Sequence, residues 1–590
     1  MKIILPLILF LSISLSWNCG FTQPMINVEG RPHVYFNGKW QIIIDAFDSW
    51  KNWKPIYEDR KPSGKEDFYE YNFSTQETLD VPGDWNSQRE SLKYYEGTIW
   101  YKKSFSYDVD PNKRTFLYFA AVNYQCEVYL NGEKIGSHEG GFTPFQFELT
   151  GKIKAGINGL IIRVNNERKE DAIPSLNYDW WNYGGITRDV YLVETPQTYI
   201  NDYFIQLKKG NSGIIKASVS LNGPRLRQEI NISIPELKLS SNLGPDTEGK
   251  AGVEFKAKPI LWSPENPKLY EVIIKSGEDS IREWIGFRNI EVKGADILLN
   301  GKPVFLKGVN IHEEIPSRMG RAWSESDARI LLGWATELGC NFVRLAHYPH
   351  NENIVRLADK MGIMIWEEIP LWQGIQFSNP VILQKANALL TEMIGRDKNR
   401  AAVIFWSLSN ETNPGKDRNE VLAKMATYAR SLDSTRLITS AFHQFKYDKN
   451  TVTVDDPLSN SLDVLAFNQY YGWYRPWNYK PSEIEWKVLF NKPVLISEFG
   501  GEALYGNHGA ADTASSWSEE FQEQLYKDQL SMINKIPNLR GTIPWILADF
   551  RSPSRMHNVY QQGWNRKGLL SDKGLKKKAW YVMRDYYKTK

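Results

Sequence analysis

The stretch that decides the fold is Ala401-Ala-Val-Ile-Phe-Trp-Ser-Leu-Ser-Asn410-Glu411, an apolar run that ends in an acid. A second run, Pro493-Val-Leu-Ile-Ser-Glu498-Phe-Gly500, carries its acid in the same place. Each run is typical of a parallel strand buried on both faces. In a (β/α)8 barrel the carboxyl ends of the strands surround the active site, so an acid there indicates catalysis rather than stability. The two runs therefore predict a barrel enzyme with a pair of glutamates in its site.

The residues on either side of these runs follow the rhythm of such a barrel. From residue 291 to 590, apolar runs alternate with helical periodicity, for instance over residues 326–338, 353–360 and 517–533. We predict eight barrel strands, at residues 304–309, 341–345, 362–366, 403–408, 436–441, 464–468, 494–497 and 542–547. Right-handed crossovers make a closed (β/α)8 TIM barrel the natural arrangement for this pattern.

The residues before the barrel lack long helical periodicity and are predicted to be all-β. Residues 24–195 contain short alternating strands broken by Gly, Asn and Pro, and Asn131-Gly132 signals a hairpin. This pattern predicts an N-terminal β-sandwich. Residues 196–290 have the length and strand pattern of an immunoglobulin-like β-sandwich. Neither stretch predicts a helix.

Residues 1–23 have the shape of a secretory signal peptide. Lys2 precedes an apolar stretch over residues 3–15, which is shorter than the about 20 residues of a membrane span. We therefore expect an exported, periplasmic protein. Lipidation at Cys19 is an alternative that would attach the protein to the outer membrane or cell surface, although Trp17-Asn18 fit a lipoprotein signal poorly.

The composition excludes several classes of partner and cofactor. The 590 residues carry a formal charge of only +3, so no nucleic-acid partner is expected. Cys126 and Cys340 fall in different predicted domains and are expected to be buried free thiols. No HExxH or CxxC spacing indicates a metal, and no organic cofactor is expected because carboxylates carry out the whole reaction. The sequence leaves a homo-oligomer open.

Glycosidic bond cleavage assigns a role to each of the two glutamates. A carboxylic acid must protonate the leaving oxygen, while a carboxylate on the other face of the sugar stabilises the anomeric carbon. We assign Glu411 as the general acid/base and Glu498 as the nucleophile. A retaining mechanism predicts that the two carboxyl groups lie about 5–5.5 Å apart. Arg344 and Tyr470 are expected to hold Glu498 ionised.

Most of the predicted strands end in polar or aromatic residues. Loops that only face solvent would not be expected to place such residues at so many strand ends. A sugar-binding role is expected for His312, Arg344, His347, Asn410, Tyr470, Tyr474 and Trp545. His312 and His347 have an alternative role, since a histidine at a strand end can simply satisfy backbone groups. Glu367 and Glu368 compete with Glu411 for the acid role, but adjacent strand residues point to opposite sides, so at most one faces the site.

Three motifs resemble those of a known enzyme family. Trp406-Ser-Leu-Ser-Asn410-Glu411 and Ile496-Ser-Glu498-Phe-Gly500 resemble the acid/base and nucleophile motifs of glycoside hydrolase family 2. The stretch Trp180-Trp-Asn-Tyr-Gly-Gly-Ile-Thr-Arg188 is similar to part of the first domain in this family. The resemblance covers essentially the whole mature chain. It implies a sugar-binding jelly-roll domain, an immunoglobulin-like domain and a (β/α)8 barrel, in that order.

Within this family the sequence is most similar to the β-glucuronidases. Asn468-Gln-Tyr470-Tyr-Gly-Trp-Tyr474 nearly matches their Asn-Arg-Tyr-Tyr-Gly-Trp-Tyr segment. Asn565-Arg-Lys567 resembles the Asn-x-Lys motif that grips the C6 carboxylate of the uronic acid, a group that needs a cation and a donor. Asp179 matches the acid that the first domain extends toward sugar hydroxyls. The resemblance implies a retaining, exo-acting enzyme that removes terminal β-linked glucuronic acid from oligo- or polysaccharides.

The chain departs from this pattern just before the Asn-x-Lys motif. An arginine is expected there, and the chain has Gln561-Gln562-Gly563. The preceding loop looks longer, and Arg551 and Arg555 are candidate replacements. A β-galactosidase or a β-galacturonidase on the same scaffold therefore stays an alternative. A carbohydrate-binding protein with an inactive barrel is a third, but it predicts the loss of a catalytic glutamate, and both are present.

Overall fold

The computed structural model describes residues 23–49, 55–67, 71–73 and 77–590. The predicted signal peptide, with Cys19, lies outside the described residues except for Gln23. Within the described ranges, no helix is both long enough and apolar enough to cross a membrane.

The N-terminal domain is a β-sandwich, as predicted. Its six-stranded sheet has the order Thr78–Val81, Gly38–Asp45, Thr98–Tyr107, Gly156–Asn165, Gln125–Leu130 and Glu133–Glu139. Its four-stranded sheet has the order His33–Tyr35, Val190–Pro196, Lys113–Phe119 and Phe145–Glu148. Trp40, Tyr101 and Phe119 belong to the core of the sandwich. One α-helical turn, Trp85–Gln88, lies between the strands with Asp84 as its cap, and it is too short to show periodicity in the sequence.

The second domain is a smaller sandwich with the expected immunoglobulin-like size. One sheet has the order Tyr199–Lys208, Asn211–Asn222 and Lys250–Lys256. The other has the order Leu239–Leu243, Ile230–Ile234, Tyr270–Ser276 and Asp279–Ile285. Alternate residues of these strands are buried, as in the hairpin strand Asp279–Ile285, so each sheet has one core face. A meander of Ile290–Lys293, Asp296–Leu299 and Lys302–Pro303 leads into the barrel.

Eight strands close into a parallel barrel, which confirms the predicted fold class. Strands β1 to β8 are Leu306–Ile311, Phe342–Leu345, Met364–Glu368, Val403–Asn410, Leu437–Phe442, Leu465–Asn468, Val494–Glu498 and Leu539–Thr542. All eight residues of β4 are buried, as a strand inside a ring of helices requires. Cys126 in the first domain and Cys340 before β2 are buried free thiols, as predicted.

The eighth strand is the one barrel strand that the sequence places wrongly. The predicted strand spans residues 542–547, whereas β8 is Leu539–Thr542 and pairs with β1 through Gly541. The apolar residues that follow are buried in the barrel mouth as a loop, not as a strand. Pro544 contributes no N–H to a ladder, and its carbonyl accepts from the Asn310 backbone instead. Trp545 therefore reaches the mouth from a loop.

Six helices, α1 to α6, surround the barrel. They are Glu325–Leu338, Glu352–Met361, Pro380–Asp397, Lys416–Leu432, Glu519–Ile533 and Lys578–Lys588. Gly362 ends α2 at φ 75°, where a Cβ atom would lie 2.5 Å from the carbonyl oxygen of Pro264, so only glycine fits.

Two crossovers contain no α-helix. In the described chain after β5 and β6, the only helical segments before the next barrel strand are the 3-10 turns Pro457–Ser461 and Pro481–Glu483. A small sheet of Lys446–Asp448, Thr451–Val454 and Glu485–Val488 occupies this side, and we call it the side sheet. Residues next to and within the side sheet form one wall of the barrel mouth.

Buried ion pairs join the domains to the barrel. Arg188 of the first domain donates to both oxygens of Glu313 at 2.9 and 3.0 Å. Glu283 of the second domain lies 3.0 Å from Arg400 and 2.9 Å from Arg356. The Arg188 pair fixes the first domain against the barrel mouth, where this domain contributes residues to the site.

Candidate active site

A cavity of about 990 Å³ opens at the carboxyl ends of the barrel strands. Glu411 and Glu498 both line it. The other lining residues come from several barrel loops and from the first domain: Arg168, Asn177, Tyr178, Asp179, His347, Trp372, Gln373, His443, Phe445, Tyr447, Asn468, Gln469, Tyr470, Tyr474, Arg475, Pro476, Trp545, Pro553, Ser554, Arg555, Asn565 and Lys567. The structure thus brings together nine of the twelve residues that the sequence proposes, and places His312, Arg344 and Asn410 behind the lining.

Glu498 ends β7 and is only 4% exposed. Its Oε1 accepts from Arg344 Nη1 at 2.7 Å, and its Oε2 accepts from the Tyr470 hydroxyl at 2.8 Å. Burial raises the pKa of Glu498 above its usual value, and the charges of Arg344 and His347 act in the opposite direction. Both donors bind the ionised carboxylate, which is the form that a nucleophile needs.

Glu411 follows β4 and is half-buried. Its backbone has φ 52°, a left-handed conformation that is uncommon outside glycine and marks the point where the chain leaves the strand. The carboxylate accepts from Asn468 Nδ2 and from Gln373 Nε2, both at 2.8 Å. Both donors are neutral amides, in contrast to the guanidinium that binds Glu498.

Arg344 is fully buried on β2 and links Glu498 to Asn410, the residue before Glu411. Besides Glu498 it binds both oxygens of Glu368, at 3.0 and 2.8 Å, and donates to Asn410 Oδ1 at 2.8 Å. Asn410, the residue before Glu411, is thereby oriented. Its buried Nδ2 has no hydrogen-bond partner among the described residues.

Glu367 and Glu368 point to opposite sides of β3, as predicted. Glu368 faces the site and lies 2.8 Å from His347 Nδ1. Burial raises its pKa, but Arg344 outweighs this and leaves the pKa lowered. Glu367 faces outward to Arg396 at 3.3 Å, and burial raises its pKa well above the usual value. Neither acid lines the cavity, so neither competes with Glu411.

Of the two predicted histidines, only His347 reaches the cavity. Its ring stacks on Trp545, with the centroids 4.7 Å apart. His312 lies behind this pair, with its ring 4.2 Å from that of Phe550 and its Nδ1 3.1 Å from the Tyr348 hydroxyl. Burial lowers the pKa of His312 well below its usual value, so it is neutral and packs as part of the aromatic layer.

Two cations converge on one hydroxyl at the end of the cavity formed by the loop after β8. Lys567 Nζ donates to the Tyr474 oxygen at 2.8 Å, and Arg555 Nη2 donates to the same oxygen at 2.9 Å. Lys567 is 1% exposed and also lies 3.2 Å from Glu502. Since both acceptor positions of the hydroxyl are occupied, the Tyr474 proton can be donated to a ligand.

Asp179 ties the first domain to this loop. Its carboxylate accepts from Arg555, from the hydroxyls of Ser552 and Ser554, and from Asn565 Nδ2 at 3.2 Å. Burial raises its pKa, but Arg555 outweighs this and leaves the pKa lowered. Of the two candidate replacement arginines, Arg555 therefore lines the site. Arg551 does not, and its guanidinium stacks 4.9 Å from the Trp564 ring.

Several site residues were missed by the sequence reasoning. Gln373 and Trp372 come from the loop after β3, and their only signal is their position a few residues beyond a strand end. Glu502 has the same kind of signal, four residues beyond Glu498. The wall beside Glu411, formed by His443, Phe445, Tyr447 and Arg475, carried no signal, because it depends on the side sheet that replaces a helix.

The comparisons with known proteins agree with this architecture. The chain matches three family models, described as Glycosyl hydrolases family 2, sugar binding domain (residues 36–196), Glycosyl hydrolases family 2 (198–288) and Glycosyl hydrolases family 2, TIM barrel domain (290–589). A beta-glucuronidase of Chlorocebus aethiops is 27% identical over 97% of this chain and 94% of its own length.

Two solved structures illustrate the likeness in three dimensions. A Bifidobacterium dentium beta-glucuronidase complexed with coumarin-3-O-glucuronide has a TM-score of 0.83 and 25% identity, over 96% of this chain and 98% of that one. A beta-galacturonidase of family 2 from Eisenbergiella tayi, bound to glycerol, has a TM-score of 0.79 and 25% identity, over 97% and 98% of the two chains.

Proposed function

The chain belongs to glycosyl hydrolase family 2 and is a glycosidase, and we propose that it removes terminal β-linked glucuronic acid from oligo- or polysaccharides with retention of configuration. The observation that carries the proposal is the convergence of Lys567, Arg555 and the Tyr474 hydroxyl at one end of the cavity.

The first step of the proposed reaction uses both glutamates. The Glu498 carboxylate attacks the anomeric carbon and forms a glycosyl ester, while the proton of Glu411 passes to the leaving oxygen. Arg344 and Tyr470 hold the attacking oxygens in place, at 2.7 and 2.8 Å. In the second step, Glu411 takes a proton from water, whose oxygen attacks the same carbon and releases the sugar from Glu498.

The uronate carboxylate is proposed to bind at the end formed by Lys567 and Arg555. A ligand carboxylate there would receive charge-assisted hydrogen bonds from the two cations and a third bond from the Tyr474 hydroxyl. Glu502 and Asp179 pair with the two cations and hold them in position. A neutral galactoside would bring no anion to this set of donors and would forgo the charge-assisted bonds that a uronate makes, which disfavours β-galactosidase activity.

A β-galacturonidase is the second candidate. Galacturonic and glucuronic acid share the C6 carboxylate and differ only in the configuration at C4, so the cations do not separate them. One of the similar structures is that of a beta-galacturonidase. Asp179, which the family resemblance points toward sugar hydroxyls, is already bound by four side chains of the loop after β8, so it does not decide between the two.

The test is the initial rate on p-nitrophenyl β-D-glucuronide, β-D-galacturonide and β-D-galactoside. We expect the glucuronide to react fastest. Lys567→Ala should lower kcat/KM for the glucuronide by about 10- to 150-fold, the value of a hydrogen bond to a charged group, while the galactoside changes much less. Lys573→Ala removes an exposed lysine outside the cavity and serves as the control. An equal loss on all three sugars would contradict the uronate assignment.

The location of the enzyme is a separate proposal that rests on residues 1–23. Lys2 and the apolar stretch support export to the periplasm, with lipidation at Cys19 as the alternative. Expression of the full chain, followed by fractionation and mass determination of the mature N-terminus, tests both. An unprocessed chain in the cytoplasm would contradict export.

A further inference from the structure

The cavity has a second end, on the side of Glu411. The backbone N–H of Glu411 donates to the carbonyl of Ala441 at 2.9 Å, two residues before His443. His443, Phe445 and Tyr447 then follow along the chain into the side sheet. Together with Arg475 and Pro476 they form what we call the aromatic wall, which lines the cavity beside the acid/base. In the proposed reaction Glu411 protonates the leaving oxygen, so the leaving group must lie on this side.

Arg475 differs from the other cations of the cavity. Arg168 pairs with Glu96 at 2.9 Å, and Lys567 with Glu502 at 3.2 Å. The exposed Arg475 guanidinium lies 4.0 Å from the centroid of the Tyr447 ring. Among the residues that the structure describes, no side-chain hydrogen bond or ion pair engages it. The stacking fixes the plane of the guanidinium and leaves its donors available to an anion.

We propose that the aromatic wall is a leaving-group subsite for a sugar with an anionic substituent, a carboxylate or a sulfate ester, which Arg475 binds. This inference rests on the proposed function for the identity of the sugar that is cleaved off. The substrate is then a polyanionic saccharide in which glucuronic acid is followed by a second acidic sugar.

The arrangement separates two anions. Tyr474 turns toward Lys567 and Arg555, which bind the uronate in the proposed function, whereas the next residue, Arg475, lies over Tyr447 at the other wall. The uronate carboxylate is therefore not the partner of Arg475. Phe445 and Tyr447 line this part of the cavity with aromatic side chains, and the guanidinium can bind carboxylate or sulfate oxygens in a fork.

The test compares phenyl β-D-glucuronides whose aglycone carries a carboxylate, a sulfonate or a neutral carboxamide. For each, kcat/KM is measured for the wild type and for Arg475→Gln, and the ratio of the anionic to the neutral substrate is formed. Comparing this ratio between the two proteins cancels the intrinsic reactivity of each leaving group, because both proteins act on the same substrates. We expect Arg475→Gln to lower the anionic-to-neutral ratio about tenfold, the lower end for a bond to a charged group because the site is open to solvent. Arg475→Lys should restore part of it, and Arg475→Glu should lower it further.

Lys449→Gln is the matched control, because Lys449 is an exposed cation in the side-sheet hairpin that does not line the cavity. An unchanged ratio in Arg475→Gln, or an equal fall in Lys449→Gln, would overturn the inference. A fall for only one of the two anions would support it and identify the substituent. If the wild type cleaves no glucuronide, the proposed function fails, and the same ratios on β-D-galacturonides test the subsite independently.

Discussion

The two glutamates that we propose as catalytic have the same side chain but occupy different environments. Glu498 is 4% exposed and accepts from a guanidinium and a phenol. Glu411 is half-buried and accepts only from the amides of Asn468 and Gln373. The guanidinium of Arg344 opposes the effect of burial on the pKa of Glu498 and favours its ionised form. The difference in hydrogen-bond partners, rather than in residue type, supports the proposed roles of nucleophile and acid/base.

The largest expected effect is the loss of the nucleophile. Glu498→Ala should lower kcat by roughly four orders of magnitude or more, because no covalent intermediate can form. Azide placed in the vacated space should attack the anomeric carbon once and give the α-glycosyl azide, which NMR identifies.

Glu367→Gln is the control for this loss. Glu367 is a buried acid on β3 that faces away from the cavity, and burial raises its pKa well above the usual value. A β-azide product from Glu498→Ala would contradict the role of Glu498.

The next largest effect is expected at Glu411. Glu411→Ala should lower kcat by about 10²- to 10⁴-fold, and the loss should grow as the leaving group becomes harder to expel, because the missing proton then matters more. Azide should now give the β-glycosyl azide, since the intermediate on Glu498 still forms and the carbon is inverted twice. A loss independent of the leaving group would contradict the acid role.

A smaller effect is expected when Glu498 loses one of its hydrogen-bond donors. Tyr470→Phe removes the 2.8 Å hydrogen bond to the carboxylate and should lower kcat/KM by about tenfold. Burial already raises the pKa of Glu498, so activity is lost as pH falls through a value above the usual one for glutamate. Loss of a donor to the ionised form raises this pKa further, and the acid limb of the pH profile should move to higher pH. Tyr471→Phe changes a neighbouring phenol that makes no contact with Glu498, and its acid limb should stay in place.

The smallest effect is expected when Glu411 loses one of its two amide donors. Gln373→Ala removes one neutral amide donor and should lower kcat/KM by only about three- to tenfold. Gln376→Ala, on the same loop but bonded to Glu170, is the control. A larger loss in Gln373→Ala than in Tyr470→Phe would reverse the comparison between the two glutamates.

Local patterns in the sequence were sufficient where one element decides the outcome. The runs that end at Glu411 and Glu498 predicted strands β4 and β7, because an apolar run followed by an acid reports burial and then a strand end. The same logic failed at β8. There Arg540 and Gly541 make the strand look polar, and the apolar residues after Thr542 are buried for another reason, as the floor of the mouth.

The sequence by itself determined the three-domain order and the barrel, and it led to the proposal of the two glutamates, because each depends on periodicity or on motifs within a short stretch. Only the tertiary structure decided which loops meet. Arg555 reaches Asp179 across 376 positions of the chain, and the side sheet brings Tyr447 under Arg475. Such contacts depend on the closure of the barrel and on the packing of the first domain against it, and neither leaves a local pattern in the residues concerned.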